Sequence, residues 1–207
     1  MAAVFPLALD VAALERVIVR PVDEFTDDDF FDFCQEHELL RIERNSAGEI
    51  IIMAPVGTEG GFAELEVAAE LRDWAKKNGR GIVLSSSAGV TLPDKSVFSP
   101  DACWIPIERW KAVPPGKRRK FAPLLPAFVI EVRSPSDRRK DLHEKMLSYI
   151  RNGVELGWMI DPQSRTVSIY KPGQETPVEL NDPQRVKGEG PVTGFVLDLK
   201  RIYDQLG

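Results

Sequence analysis

Residues 128–133 read Phe-Val-Ile-Glu-Val-Arg, a short apolar run that carries one acidic side chain in its interior. Aromatic and β-branched residues favour an extended backbone, so this run predicts a strand in the centre of a sheet. Ser134-Pro135-Ser136 ends the strand. Because a buried carboxylate is costly unless it is paired or bound to a cation, Glu131 needs a partner. That partner is either a metal ion or a neighbouring side chain, such as Arg133 on the same face of the strand.

The segments on both sides of this strand predict an α/β fold with a mixed sheet and helices on its faces. After the strand, Ser136 or Asp137 can cap a helix that ends near Asn152, and Trp158–Ile160 forms another buried strand. The segments before it are a helix from Thr26 to about Glu38, a hairpin around Asn45–Gly48, a glycine-containing loop at residues 55–61, a helix from about Phe62 to Asn78, and strands at residues 82–86, 89–92 and 102–105.

The composition fits one globular domain and excludes several classes of protein. The chain has 207 residues, 43% of them hydrophobic and 29% charged, which is enough to bury a core. We expect an N-terminal arm at residues 1–24 and a single domain at residues 25–207. No apolar run is long enough for a membrane span, and the N-terminal stretch lacks the pattern of a signal peptide. The two cysteines, Cys34 and Cys103, have no zinc-ligand spacing, and a reduced, cytoplasmic setting is predicted.

The net charge of −5 does not by itself indicate a nucleic-acid-binding domain. Any binding to nucleic acid must therefore depend on local positive charge. Two basic clusters are present; they are Lys111, Lys117, Arg118, Arg119 and Lys120, and Arg133, Arg138, Arg139 and Lys140. Each cluster is also compatible with an ordinary solvated loop or helix start.

Two carboxylates indicate a metal site. Asp101 follows Pro100 at the start of a predicted strand, and Glu131 lies inside the central one. Oxygen ligands on neighbouring strands suit Mg²⁺ or Mn²⁺. Glu66, on the helix face of Phe62, Leu65 and Ala69, is a candidate third carboxylate; alternatively it is one of several surface glutamates on that helix.

Lys145 is the candidate cationic side chain of the site. It lies on the helix that follows the Glu131 strand, beside the apolar stripe of Leu142, Met146 and Tyr149. Periodicity alone equally permits a lysine whose stem packs on the protein and whose charge stays in water.

Five short motifs follow one another in a fixed order along the chain. They are Ser99-Pro100-Asp101-Ala102, Glu131-Val132-Arg133-Ser134, Glu144-Lys145-Met146 with Tyr149, Asn152-Gly153, and Gly157-Trp158-Met159-Ile160-Asp161-Pro162. This ordered set resembles the Uma-type family of restriction endonucleases, a branch of the PD-(D/E)xK nuclease superfamily, and the resemblance covers roughly residues 25–172. The resemblance implies a restriction-endonuclease-like core of the order αβββαβ.

The resemblance also implies roles for particular residues. Asp101 and Glu131 match the two acids of the motif, and Glu66 matches the glutamate that the first core helix often supplies. These carboxylates and the Val132 carbonyl would hold Mg²⁺ or Mn²⁺. The chain departs from the motif at the lysine position, which holds Arg133. Lys145 matches a lysine that has moved to the next helix, and either residue could orient water or contact the scissile phosphate.

The function implied is metal-dependent hydrolysis of DNA phosphodiester bonds, by a protein expected to form a homodimer. Trp104 and Trp110 are candidate interface residues, although Trp104 equally suits the core. Two alternatives stay open at this point. One is a protein that keeps the nuclease fold for DNA binding or assembly without catalysis, and the other is hydrolysis of a different phosphate ester.

Overall fold

The structure, a computed structural model, describes residues 16–23 and 25–206. The described residues contain five α-helices: α1 Asp27–Glu36, α2 Thr58–Asn78, α3 Ile107–Ala112, α4 Arg139–Arg151 and α5 Lys200–Gln205. Their strands are β1 Arg16–Val19, β2 Arg41–Arg44, β3 Ile50–Met53, β4 Gly81–Ser85, β5 Val90–Thr91, β6 Val97–Phe98, β7 Ala102–Pro106, β8 Phe128–Val132, β9 Leu156–Asp161, β10 Thr166–Tyr170, β11 Val178–Asn181, β12 Arg185–Lys187 and β13 Val196–Asp198.

The predicted αβββαβ core is present as α2, β4, β7, β8, α4 and β9. These strands belong to a six-stranded sheet of order β11-β10-β9-β8-β7-β4, in which only the β8–β9 pair is parallel. The helix α4 is the crossover that a parallel pair requires. The central position predicted for the Phe128–Val132 strand is confirmed, because all five of its residues are buried.

The alternation of side chains along β8 separates two parts of the core. Phe128, Ile130 and Val132 pack on the side of α2, where a stripe of small and branched residues covers them. Val129 packs on the opposite side, with Met146 and Tyr149 of α4. Since side chains alternate along a strand, Glu131 points to the same side as Val129 and therefore toward α4.

A second sheet, of order β1-β3-β2-β6-β5, lies next to this core. The β2–β3 hairpin predicted around Asn45–Gly48 is confirmed, with Gly48 at a φ of 78° in its turn. Helix α1 begins after Thr26, whose hydroxyl accepts from the backbone of Asp29 in a capping box. Arg16–Val19, inside the predicted arm, pair with β3; residues 1–15 of that arm lie outside the described residues.

Two local predictions differ from the structure. Helix α2 begins at Thr58 rather than near Phe62, and it includes Gly60 and Gly61 of the predicted loop. Helix α4 has no side-chain cap, because Asp137 instead accepts from the backbone and hydroxyl of Ser134. Among the described residues, no helix combines the length and the apolar character that a bilayer crossing requires.

Of the two tryptophans considered for an interface, Trp104 lies in the core and Trp110 lies beneath the side chain of Arg118. Trp104 is buried beside Trp74, with ring centroids 5.8 Å apart. Trp110 is covered by the guanidinium of Arg118, 4.6 Å from its ring centroid. Neither ring therefore forms an open aromatic surface, and the homodimer stays a prediction.

The C-terminal segment closes the core through Phe195. Its ring centroid lies 5.7 Å from Trp158, 5.8 Å from Trp74 and 6.2 Å from Phe128.

We expect Phe195→Ala to lower the free energy of unfolding, measured in urea, by about 3–5 kcal/mol, which is the usual effect of emptying a buried aromatic site. Val196→Ala is the matched control, because Val196 is 44% exposed. Equal losses for the two variants would contradict a core role for this segment.

Candidate active site

The two acids predicted for the site lie side by side at one end of the six-stranded sheet. Asp101 immediately precedes β7, and Ala102 pairs with Ile130 of the antiparallel neighbour β8. Asp101 Oδ2 accepts the backbone N–H of Val132 at 2.7 Å. Both Asp101 and Glu131 are only 3% exposed. The strand pairing therefore brings together two carboxylates that are thirty positions apart in sequence.

Lys145 reaches this pair from α4. Its Nζ atom lies 2.8 Å from Glu131 Oε1 and 2.9 Å from Glu43 Oε1, and its side chain is only 14% exposed. Burial alone would lower the pKa of Lys145, but the two carboxylates outweigh burial and raise it. The structure thus makes Lys145 a buried cation and not a solvated surface lysine.

Tyr149 completes the surroundings of Glu131. Its hydroxyl donates to Glu131 Oε1 at 2.9 Å, so Lys145 and Tyr149 contact the same carboxylate oxygen. Burial raises the pKa of Glu131, and the positive charge of Lys145 opposes that change. Burial and the Glu131 charge raise the pKa of Tyr149 well above 10, so its hydroxyl stays a hydrogen-bond donor.

Three charged residues of the site were missed by the sequence analysis. Glu43 on β2 accepts from Lys145 and also from the backbone N–H of Ser99 at 2.9 Å. Arg41, two residues earlier, donates to Asp101 Oδ1 at 2.9 Å and to Glu64 Oε1 at 3.2 Å. The hairpin itself was predicted. Its contacts with Asp101 and Lys145 join residues that are 60 and 102 positions apart, and the sequence around the hairpin does not indicate them.

Glu64, and not the predicted Glu66, is the α2 carboxylate that reaches the site. Glu66 Oε2 instead lies 3.2 Å from Arg201 Nε of α5, and residues two apart on a helix do not share a face. The prediction used the face of Leu65, which is 65% exposed. The buried stripe is Ala63, Val67, Leu71 and Ala75. Glu64 lies three residues before Val67 and seven before Leu71, which places it on the same face of the helix.

Arg133 occupies the lysine position of the motif but points away from Glu131. Its Nη1 donates to Asp161 Oδ2 at 2.8 Å and its Nε donates to the Asp137 carbonyl at 3.1 Å. Burial would raise the pKa of Asp161, but hydrogen bonds from Arg133 and Ser164 hold that pKa below its usual value. Arg133 therefore joins the end of β9 to the loop before α4.

A groove of about 430 Å³ opens over the acidic residues. Asp101, Glu131, Val132 and Lys145 line it, together with Arg16, Arg138 and Arg151. The basic cluster at 111–120 follows α3 at the other end of β7 from Asp101, and its Lys120 binds Asp28 at 2.8 Å. Arg139 forms an ion pair with Glu179. Of the two predicted basic clusters, only Arg138 lines the groove.

The donor chemistry of the groove fits a hard divalent cation. Among the described residues, Arg41 and Lys145 form ion pairs with the carboxylates Glu43, Glu64, Asp101 and Glu131, and these six side chains together carry a formal charge of −2 when all are ionised. Burial raises the pKa of Asp101 and of Glu64, and Arg41 opposes the change in both. Within the described residues, however, no three acidic, histidine or cysteine side chains converge into a ready metal cage.

Comparison with known proteins gives one family match and a similar solved structure. Residues 27–200 match the model of the Uma2 family, which is described as "Putative restriction endonuclease". A similar crystal structure is that of "a putative nuclease belonging to DUF820 from Anabaena variabilis ATCC 29413", with a TM-score of 0.64 and 22% identity over 80% of this chain and 91% of that one. At this identity the likeness shows the shared fold. No curated protein is significantly similar in sequence.

The ion pair of Lys145 and Glu131 predicts a specific pattern of stability. Lys145→Met should lower the free energy of unfolding by about 3–5 kcal/mol, because it leaves a buried carboxylate without its cation. Adding Glu131→Gln should recover part of that loss, and a double-mutant cycle in urea gives the coupling energy. A Lys145→Met variant within about 0.5 kcal/mol of the parent would contradict a buried ion pair.

The pair of Arg133 and Asp161 predicts a pH dependence. The pKa of Asp161 is lower in the folded protein than in the unfolded chain, so its contribution to stability is present above about pH 4 and is lost as the pH falls below that value. Arg133→Gln should therefore reduce the free energy of unfolding at neutral pH and have less effect in acid, as measured by urea unfolding across this range. A loss that is equally large in acid would show that the ion pair is not its source.

Proposed function

The chain belongs to the Uma2 family, and from this premise we propose that it is a metal-dependent endonuclease that hydrolyses DNA phosphodiester bonds. The observation that supports the proposal is the position of Lys145 between Glu131 and Glu43, beside Asp101, in an open groove. In this proposal Asp101, Glu131 and Lys145 are the acid, acid and lysine set of the superfamily, although the lysine is absent from its usual place in the sequence.

The proposed metal ligands are Asp101, Glu131 and the Val132 carbonyl, with Glu64 in place of Glu66 as the helix carboxylate. When bound, Mg²⁺ or Mn²⁺ supplies a water of lowered pKa and offsets the charge that develops on the phosphate. Asp101 is fixed by the Val132 N–H, and Glu131 is fixed by Tyr149. These hydrogen bonds hold the carboxylates in place before substrate arrives, which avoids reorganisation during the reaction.

Lys145 is proposed to orient the attacking water and the scissile phosphate as a hydrogen-bond donor. Its raised pKa suits a permanent cation and does not suit a general base. Arg133 is not proposed for this role, because its guanidinium is bound to Asp161 and the Asp137 carbonyl. Positive charge next to a phosphate stabilises the negative charge of the transition state.

The basic residues on the rim of the groove are proposed to bind the DNA backbone. Arg16, Arg138 and Arg151 line the groove together with the acidic residues. Backbone contacts of this kind position the duplex without reading its sequence, and their contribution falls as salt rises. A bound divalent cation would also remove the net negative charge of the groove, so an acidic protein can still bind DNA here. A cytoplasmic homodimer remains part of the proposal.

A non-catalytic role is the second candidate. It is favoured by one observation: Arg41 and Lys145 already neutralise part of the acidic cluster, and no three candidate ligands among the described residues converge. In this case the groove would bind nucleic acid without a metal. Metal binding therefore separates the two candidates.

The proposal is tested by Mn²⁺ and Mg²⁺ calorimetry together with cleavage of a supercoiled plasmid. We expect the parent protein to bind metal and to nick or cut the plasmid, and Glu131→Gln to lose both. Lys145→Met should lower the cleavage rate by about 100- to 1,000-fold, the typical effect of removing one charge-stabilising donor. Activity toward a small phosphodiester but not toward plasmid would instead indicate a different phosphate ester as substrate.

Two of the glutamates of α2, Glu64 and Glu66, provide a matched pair of variants. Glu64→Gln should weaken metal binding and slow cleavage, because Glu64 and Asp101 both bind the guanidinium of Arg41. Glu66→Gln should leave both unchanged, since Glu66 faces Arg201 of α5. Unfolding in urea checks that both variants are folded. The reverse result would restore Glu66 as the ligand.

A further inference from the structure

Arg41 is a cation placed where a metal ion would need to bind. Its two terminal nitrogens contact Asp101 and Glu64 at 2.9 and 3.2 Å, and the Glu131 charge also acts on it. The contact atom on Asp101 is Oδ1, while Oδ2 is committed to the Val132 N–H. The guanidinium therefore uses the oxygen of Asp101 that is best placed for a ligand.

We propose that Arg41 is a tethered cation that competes with the divalent metal for Asp101 and Glu64 and leaves these carboxylates when a substrate phosphate binds it. The inference rests on the proposed function and adds a control on that same site. It makes metal binding weak without DNA and stronger with DNA.

The competition follows from the chemistry of the two cations. A guanidinium does not lose its proton in proteins, so Arg41 cannot make room for a metal by becoming neutral. It must move, or the metal must bind beside a positive charge on shared ligands. The carboxylates of this groove are thus held by arginine rather than gathered into a cage, in agreement with the absence of a converged ligand set in the described part of the chain.

Arg41 borders two grooves. It lines the groove of Asp101 and Glu131 and also a second groove of about 390 Å³, which Glu64, Ser86 and Ser99 line. Its planar fork of N–H donors matches the oxygens of a phosphate, a ligand that arginine binds in a bidentate manner. A phosphate in the first groove can therefore compete with Asp101 and Glu64 for the donors of the Arg41 guanidinium.

The experiment measures Mn²⁺ affinity by calorimetry in the absence of nucleic acid, and compares the parent with Arg41→Gln and Arg41→Lys. Arg41→Gln removes the charge but keeps amide donors for Asp101 and Glu64. It should bind Mn²⁺ at least about fivefold more tightly than the parent, the lower end of typical coupling between two ligands. Arg41→Lys keeps a positive charge and should bind more weakly than Arg41→Gln. Thermal unfolding confirms that each variant is folded.

A second set of titrations contains a short phosphorothioate DNA duplex, chosen to resist cleavage. The duplex should increase the Mn²⁺ affinity of the parent and have a smaller effect on Arg41→Gln. Arg109→Gln is the control, because Arg109 binds Glu155 and the Leu125 carbonyl outside the groove, and it should behave as the parent does.

The outcomes separate this inference from the proposed function. Equal Mn²⁺ affinities for the parent and Arg41→Gln, with and without duplex, would overturn the competition and leave the metal-dependent nuclease in place. Failure of all variants to bind Mn²⁺, even with duplex, would overturn the metal site itself and the competition with it.

Discussion

The structure depends on one constraint: a carboxylate lies inside the central strand of a buried sheet and must be matched by positive charge. Glu131 meets that requirement through Lys145, which is shared with Glu43. The match fixes where α4 crosses β8, because Lys145 and Tyr149 lie one helical turn apart and both reach the same oxygen. A buried ion pair adds little net stability compared with apolar packing, yet it is costly to break.

The larger part of the fold was predictable from local patterns. The apolar run at residues 128–132 indicated the central strand, and Thr26 with Asp29 indicated the start of α1. The predicted start of α2, near Phe62, differs from the observed start at Thr58 because Gly60 and Gly61 favour a loop. In the structure these glycines are helical, and a Cβ atom at Gly60 would lie 3.4 Å from Val56. The Gly61 N–H donates to the Gly57 carbonyl at 3.0 Å in the first turn of the helix, despite the low helix propensity of glycine.

The site was predictable only where its residues follow a motif. Asp101, Glu131 and Lys145 were identified from the ordered motifs, and the structure brings all three together. Glu43 and Arg41 were not, because nothing in the hairpin shows which distant residues they meet. Glu64 was not, because the predicted inner face of α2 was that of Leu65 and not that of Ala63 and Val67. Arg133 illustrates the reverse case, since its place in the motif suggested a role that its contact with Asp161 does not support.

The contacts of Lys145 have a mechanical consequence. Glu131 belongs to the six-stranded sheet and Glu43 to the second sheet, so one ammonium group joins the two layers at the floor of the groove. Arg41 makes a similar link from the second sheet to Asp101 and α2. Any ligand that shifts charge within this cluster therefore also changes how firmly the two sheets are held together. These ion pairs therefore tie the position of the β2–β3 hairpin, and with it one wall of the groove, to the charges at the base of the groove.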